Sequence, residues 1–482
     1  MKNALIHPSA FLRFLLGCLT VLVACGMATV ASAKTQTLRV VTYNIEDDIN
    51  GATTPLPGLI APTSGGSITN GGVLEGIGEE IVGPDPAQPI DILALQETTS
   101  NPITVAPIVN GLNTFYSLSN PGASNMYAMS AYQATEQGGI LTNGNGPNAL
   151  VYNTETVQLV ASVPVDPPGG TSHLGSSSVE YREVMRYEFA PAGVTVTTSN
   201  VFYVYVSHYK AKTTSTDMND RTGEATIIRN DEATHLPADA RVIYAGDYNV
   251  STSGELSYQI ILSNRAPNGI QQGQGIDLFN LSAATNIDWS VNSLLSLKSE
   301  TATRLEWRFD MQLMTSNVYY GVAGGLAYVP GTYHVFGNNG STPYLGSVNN
   351  GANTSLNSDL TPGSTITAAQ LYQYLTTASD HLPMVADYTI PIPDPTNNAS
   401  LFQITAVTPQ SGDILVTWAT AGGTTNVVQV NAGDVVGSYT TNFTDLSPLV
   451  ILPGSGPATT NYLDTGGATN IPSRYYRIRL VP

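Results

Sequence analysis

The chain predicts a mixed α/β domain followed by a small all-β module, and three observations carry that prediction. At 482 residues it exceeds one ordinary core of ~100 to 200 residues, so two domains are expected. From Leu38 to about Tyr388, short apolar runs alternate with turn-rich stretches and a few helical ones, the pattern of α/β structure. Beyond the proline-spaced segment Pro391 to Asn398 (PIPDPTNN), only strand-like alternation remains.

Seven strands are predicted for the first domain: Leu38 to Tyr43, Asp91 to Gln96, Ala149 to Tyr152, Val201 to Ser207, Arg241 to Ala245, Arg308 to Met314 and Met384 to Tyr388. Several run out into a polar residue, where side chains meet solvent on a fixed backbone. Helices are predicted over Val73 to Val82, Arg221 to His235 and Ala368 to Leu375. Gly51 to Gly72, Ser119 to Pro147 and Gly321 to Pro362 are rich in Gly, Ser, Asn and Pro and read as long surface loops. In the module, Leu401 to Thr408, Asp413 to Ala419, Asn426 to Val430 and Tyr475 to Val481 read as strands of a β-sandwich, with Trp418 as its core aromatic. The domain plan is thus a leader over 1–33, a main domain over 34–390, a linker over 391–399 and an immunoglobulin- or fibronectin-like module over 400–482.

The leader reads as an export signal. Lys2 and Arg13 supply positive charge, Phe14 to Val30 are apolar, and Ala31-Ser32-Ala33 offers a small-residue cleavage site before Lys34. The alternative is a lipoprotein signal anchored through Cys25. Both cysteines, Cys18 and Cys25, lie here, so a chain cut after Ala33 has neither disulfide nor thiolate chemistry. No other run approaches the ~20 apolar residues of a membrane-spanning helix, and the expected location is secreted, periplasmic or cell-surface.

With 42% hydrophobic and only 11% charged residues, and with 45 Gly, 30 Pro and 25 Tyr, the composition is that of a turn-rich globular protein and excludes a disordered chain. Lys and Arg total 18 against 36 Asp and Glu, a formal net charge of −18. Attraction to a polyanion cannot come from the molecule as a whole, so an anionic substrate has to be met by a local site, such as a divalent cation.

Candidate chemistry sits at the strand ends. In Gly246-Asp247-Tyr248-Asn249, Asp247 and Asn249 stand two apart, and in extended backbone they point the same way. A carboxylate base and an amide that holds geometry suit the activation of a water, although the tetrapeptide also reads as an Asp-Asn turn. Asp91 to Glu97 (DILALQE) ends in a carboxylate that offers an oxygen ligand to a hard cation. His208, with Lys210 and Lys212 at alternate positions after it, is one of few cationic clusters and could meet a phosphate. Ser379-Asp380-His381-Leu382-Pro383 precedes the run that closes the domain, and the other histidines, His173, His235 and His334, read as surface or capping residues.

Taken in chain order, LRVVTYN (38–44), the strand ending in Glu97, the strand running into His208, the Gly246 to Asn249 turn, Arg308-Phe309-Asp310 and Ser379 to Pro383 resemble the endonuclease/exonuclease/phosphatase superfamily. The resemblance covers roughly Leu38 to Tyr388. It implies a four-layer α/β sandwich, two packed mixed sheets with helices outside. It implies that Asn44, Glu97 and Asp380 serve a divalent metal, Mg2+ first, with Mn2+ or Ca2+ as alternatives. It also implies that His208 contacts the scissile phosphate, Asp247 activates the attacking water with Asn249 as companion, and Asp310 orients His381. Lys210 and Lys212 are the expected substrate-binding cations. The implied activity is metal-dependent hydrolysis of phosphate esters by a monomer, with nucleic acid favoured over a phospholipid or sphingolipid headgroup or a phosphomonoester. A rival from another class is a non-catalytic surface-binding protein on the same scaffold.

Overall fold

The structure is a computed structural model that describes residues 34–47, 58–61, 63–64, 67–68, 71–83, 85–119, 125–136, 141, 146–165, 182–198, 200–279, 288–290, 292–322, 325–392, 403–433, 442–453, 457–469 and 473–481. The predicted leader, its Cys25 alternative, His173 and most of the Gly51 to Gly72 loop lie outside these residues. The chain divides into two compact units, Thr35–Ile392 and the segment from Pro393 onward.

Among the described residues the first unit contains two large sheets and a short pairing of Thr63–Ser64 with Ser67–Ile68. In chain order the strands of the two large sheets are β1 (Lys34–Asn44), β2 (Ile92–Gln96), β3 (Tyr127–Met129), β4 (Ala149–Asn153), β5 (Val157–Pro164), β6 (Met185–Pro191), β7 (Phe202–His208), β8 (Val242–Asp247), β9 (Gly275–Ile276), β10 (Asp310–Thr315), β11 (Ala327–Tyr328), β12 (His334–Val335) and β13 (Met384–Ile392). One sheet has the order β11-β13-β1-β2-β4-β3, with β12 also paired to β13; the other has the order β9-β10-β8-β7-β6-β5. Both are mixed: β1 and β2 run parallel, as do β7 and β8, while β8 and β10 are antiparallel.

Period-two alternation explains how the sheets meet. Val204 and Val206 of β7, and Ile243 and Ala245 of β8, share one buried cluster with Val40 of β1 and Leu93 of β2. The opposite faces of β7 and β8, with Tyr205, Val242 and Tyr244, pack against Ile228 and Ile261 in a second cluster. Those two isoleucines come from the helices α3 (Ser215–His235) and α4 (Leu256–Leu262). Helices α1 (Val73–Gly78), α2 (Ala106–Ser119) and α5 (Ala368–Ala378) contribute Leu74, Ile108 and Leu371 to the first cluster. The result is the expected α/β sandwich.

Several elements depart from the sequence reading. Helix α3 begins at Ser215 rather than Arg221, because Thr214 accepts from the Asp217 amide and closes a capping box before the charged first turns. Strands β3, β5 and β6 and helices α2 and α4 were not predicted. The predicted loop Gly321 to Pro362 is not a surface insertion: it supplies β11 and β12, and it buries Phe336, Val348 and Leu356. The predicted linker starts later than residue 391, since β13 continues to Ile392.

The second unit is all-β. Gln403–Gln410, Asp413–Ala421 and Pro457–Asp464 form one antiparallel sheet, and Thr425–Gly433 pairs with Thr444–Asp445, Val450–Ile451 and Ser473–Val481 in another. Val416 and Trp418 of the first meet Val428 of the second in a small core, and Trp418 is fully buried as expected.

Candidate active site

The stripe of residues that faces the opposite sheet becomes polar at one end. On β8 it reads Ile243, Ala245, Asp247; on β7 it reads Val204, Val206, His208; Asn44 ends β1 and Asp310 begins β10. The register pairs Asp247 with His208 on one side and with Asp310 on the other. Three local features make the crowding feasible. Gly246 has φ of 159°, and a Cβ there would lie 2.1 Å from the Ser207 carbonyl oxygen, so only glycine admits this approach. Glu97 and Asn249 adopt φ of 60° and 50°, turning the chain sharply just past a strand.

Asp247 is the hub. Its Oδ2 accepts from Asn44 Nδ2 at 3.1 Å and lies 3.3 Å from His208 Nε2 and 3.9 Å from His381 Nε2. Its Oδ1 accepts from the Asn249 amide at 3.0 Å. Glu97 approaches the same histidine, with Oε1 3.7 Å from His208 Nε2. His381 Nδ1 lies 2.8 Å from Asp310 Oδ2, and His381 Nε2 is 3.7 Å from Asp380 Oδ1. Ser379 Oγ donates to the Asn44 carbonyl and accepts from the His381 amide, tying the last motif to the end of β1.

Burial and charge then set protonation. Burial is the main cause that pushes Glu97 up to about 7, and it raises Asp247 as well, with Asp310 adding repulsion. Burial works against a charged His381, but Asp310 beside it, with Asp380 and Asp247, holds its pKa well above the ordinary value. His208 goes the other way, since burial and the charges of Arg182, His381 and Lys210 drive its pKa well down. A neutral His208 keeps its Nε2 3.3 Å from Asp247 Oδ2, while its buried Nδ1 has no hydrogen-bond partner.

The structure therefore brings together Asn44, Glu97, His208, Asp247, Asn249, Asp310 and His381. Asp380 falls in a neighbouring group with Glu300 and His381. Lys210 is close enough to act on His208 electrostatically, whereas the Lys212 side chain is exposed and its carbonyl is held by Arg221 at 2.7 Å. Sequence reasoning missed Arg182, a buried guanidinium whose Nη1 donates to the Tyr209 carbonyl and whose charge reaches Glu97 and His208. It missed Glu46, which accepts from the Asp380 amide at 2.8 Å, and Glu300. It also missed Trp307 and Phe309, which flank buried Arg308 in the chain and whose partly exposed rings stack 5.4 Å apart; Trp307 is bridged to Glu300, which is bridged in turn to His381. His334, read as a surface or capping residue, is half-buried and paired with Glu80 at 3.0 Å.

The donor set fits a divalent cation. One ligand atom each from Glu97, His208 and Asp247 lies within 4.8 Å of the others, as is so for Glu300, Asp380 and His381. Carboxylate oxygens dominate, the preference of a hard ion, and the carboxylate excess around Asp247 is otherwise poorly compensated.

No family model and no curated protein matches this chain. Solved structures to which it is similar include an endonuclease/exonuclease/phosphatase from Beutenbergia cavernae (13% identity, 92% of this chain and 100% of that one, TM-score 0.35). Others are D. rerio TDP2 complexed with a single-strand DNA product (12%, 73% and 99%, TM-score 0.36) and ANGEL2, a 2',3'-cyclic phosphatase (13%, 74% and 96%, TM-score 0.39). The functional reading rests on the geometry of the site.

Proposed function

We propose that the chain is an exported, metal-dependent phosphoesterase of the endonuclease/exonuclease/phosphatase superfamily, acting on phosphodiesters and, by preference, on nucleic acid. The observation that carries this reading is the Asp247 carboxylate, held by Asn44 and the Asn249 amide and faced by two imidazoles of opposite protonation preference. A buried carboxylate with raised basicity is a competent acceptor for a water proton near neutrality. His381, kept cationic by Asp310, would bind the negative charge that builds on the phosphoryl oxygens, and Arg182 adds a second fixed cation. Neutral His208 would orient a phosphate or leaving-group oxygen. Glu97 and Asn44 are the residues that would hold a divalent cation, with Asp380 and Glu300 as a further pair; bound there, the cation would supply charge neutralisation for an anionic ester.

Nucleic acid is favoured by the Trp307 and Phe309 rings, whose stacked, part-exposed pair is joined through Glu300 to His381 and suits a planar base. The test is to incubate the protein with plasmid, sphingomyelin and a chromogenic phosphomonoester, with and without Mg2+. Cleavage of plasmid that is lost in chelator and in Asp247→Ala supports the proposal. Binding without turnover on any substrate would instead favour a non-catalytic role.

A further inference from the structure

The backbone between His208 and Lys212 leaves β7 and carries Lys210 past the site, with Lys212 exposed two residues on, and it is held mostly by side chains. The Tyr209 amide donates to the Asp247 carbonyl at 2.8 Å. The Tyr209 carbonyl accepts from Asn249 Nδ2 at 3.1 Å and from Arg182 Nη1 at 3.3 Å. The Lys210 amide donates to Glu224 Oε2 at 3.0 Å, and Arg221 Nη1 donates to the carbonyls of both Lys210 and Lys212, at 2.6 and 2.7 Å. Arg221 is itself fixed by a two-pronged pair with Glu255 at the start of α4. Arg221 and Glu224 are three apart on α3 and so face the same way. Both are buried, and Lys212 is locked at φ of 78°, a left-handed conformation that a lysine does not hold without such support.

A surface turn that merely linked β7 to α3 would need none of this, because water can satisfy its amides and carbonyls. We propose that Arg221 and Glu224 are positioning residues, clamping the segment that ends in Lys210 and Lys212 so that the two ammonium groups meet phosphates flanking the scissile one. The substrate is then a chain with further phosphates next to the cleaved bond, not an isolated ester. This deepens the phosphodiesterase reading and rests on it. It would let a chain of net charge −18 engage a polyanion through locally fixed cations, although Asp217 and Asp220 of α3 also act on Lys210. Burial keeps Glu224 largely protonated, pushed up to about 8, so its role towards the Lys210 amide is that of a neutral acceptor. Glutamine can imitate that role and alanine cannot.

The test compares wild type with Glu224→Ala, Glu224→Gln and Arg221→Lys on bis(4-nitrophenyl) phosphate, which has one phosphate, and on an end-labelled oligodeoxynucleotide, both with Mg2+. For Glu224→Ala and Arg221→Lys the oligonucleotide KM should rise about tenfold and the slope of its logarithm against log salt should flatten by about 1. The kcat on the one-phosphate diester should stay within about twofold of wild type, and Glu224→Gln should behave as wild type on both substrates. Equal losses on both substrates, checked against the melting temperature, would make the pair mere scaffold and overturn the inference. Unchanged oligonucleotide kinetics would overturn it too. Wild type that cleaves the small diester but not the oligonucleotide sinks the inference alone, whereas wild type that cleaves neither sinks the phosphoesterase reading beneath it.

Discussion

The strands β1 and β2 carry buried polar residues at both ends, and the two ends are built on opposite rules. At the starting end, Arg39 forms a two-pronged pair with Asp387 at 2.9 and 3.0 Å and donates further to the carbonyls of Ile77 and Glu80. Asp91 there accepts from the Arg39 amide, Thr156 and Asn153. At the other end Asn44 and Glu97 join Asp247, Asp310 and Asp380, with Glu46 and Glu300 close by, a carboxylate excess opposed by Arg182 and His381. The first arrangement satisfies nearly every polar atom and holds the sheet to α1. The second leaves repulsion in place, which is stored where a cation and an anionic substrate can relieve it. Polarity alone does not mark function; unbalanced polarity in a rigid frame does.

The largest test of this contrast is Asp247→Ala. It should lower kcat on a phosphodiester by about 10²- to 10⁴-fold while leaving the melting temperature unchanged or higher. Retained turnover would break the comparison. Second in size is Arg39→Met, which leaves Asp387 buried and unpaired and should cost about 3 to 5 kcal/mol in denaturant unfolding, with activity per folded molecule kept. A mild loss would mean that the starting end is not the structural one.

The sequence made the catalytic end legible because strand ends are: Asn44, Glu97, His208 and Asp247 each follow an apolar run, and period two fixes which way they point. Asp310 and His381 were found through motif order, and only packing shows their 2.8 Å contact. Arg182 gave no signal, since it sits in a lone bridge with Glu136 outside any named strand. Glu46 and Glu300 also lie in irregular chain, whose path is set by distant contacts. Helix α2 was hidden by Pro107, Asn110, Gly111, Asn113 and Thr114, all poor helix formers; burial of Ile108 and Leu112 overrides that propensity. The Gly321 to Pro362 region misled for a similar reason, as its composition is that of a loop while Tyr333, Val335 and Phe336 pack into the core.

Opposite signs from one kind of mutation sharpen the contrast further. In chelator, Glu97→Gln should raise the melting temperature by removing a charge that burial disfavours, whereas Asp387→Asn should lower it by weakening the pair with Arg39. Adding Mg2+ at about 100 times its dissociation constant should stabilise wild type by about 2.7 kcal/mol and Glu97→Gln by much less. If both neutralisations shift stability the same way, the two ends do not differ as described.

The smallest effect concerns His334, which belongs to the balanced end. Its Nε2 lies 3.0 Å from Glu80 Oε2 and its Nδ1 is 2.7 Å from the Thr332 carbonyl oxygen, so both nitrogens face acceptors and the charged form is the one that fits. Burial lowers its pKa, but Glu80 outweighs that and the pKa lies above the ordinary value. A group raised on folding contributes stability that is complete below its unfolded pKa of about 6.5 and fades as pH rises through the higher folded value. Unfolding free energies of wild type and His334→Gln should therefore differ by about 1 kcal/mol at mildly acidic pH and converge at alkaline pH. A gap that widens as pH rises would show that the neutral imidazole is the stabilising form, and that even the balanced end carries a charge it does not use.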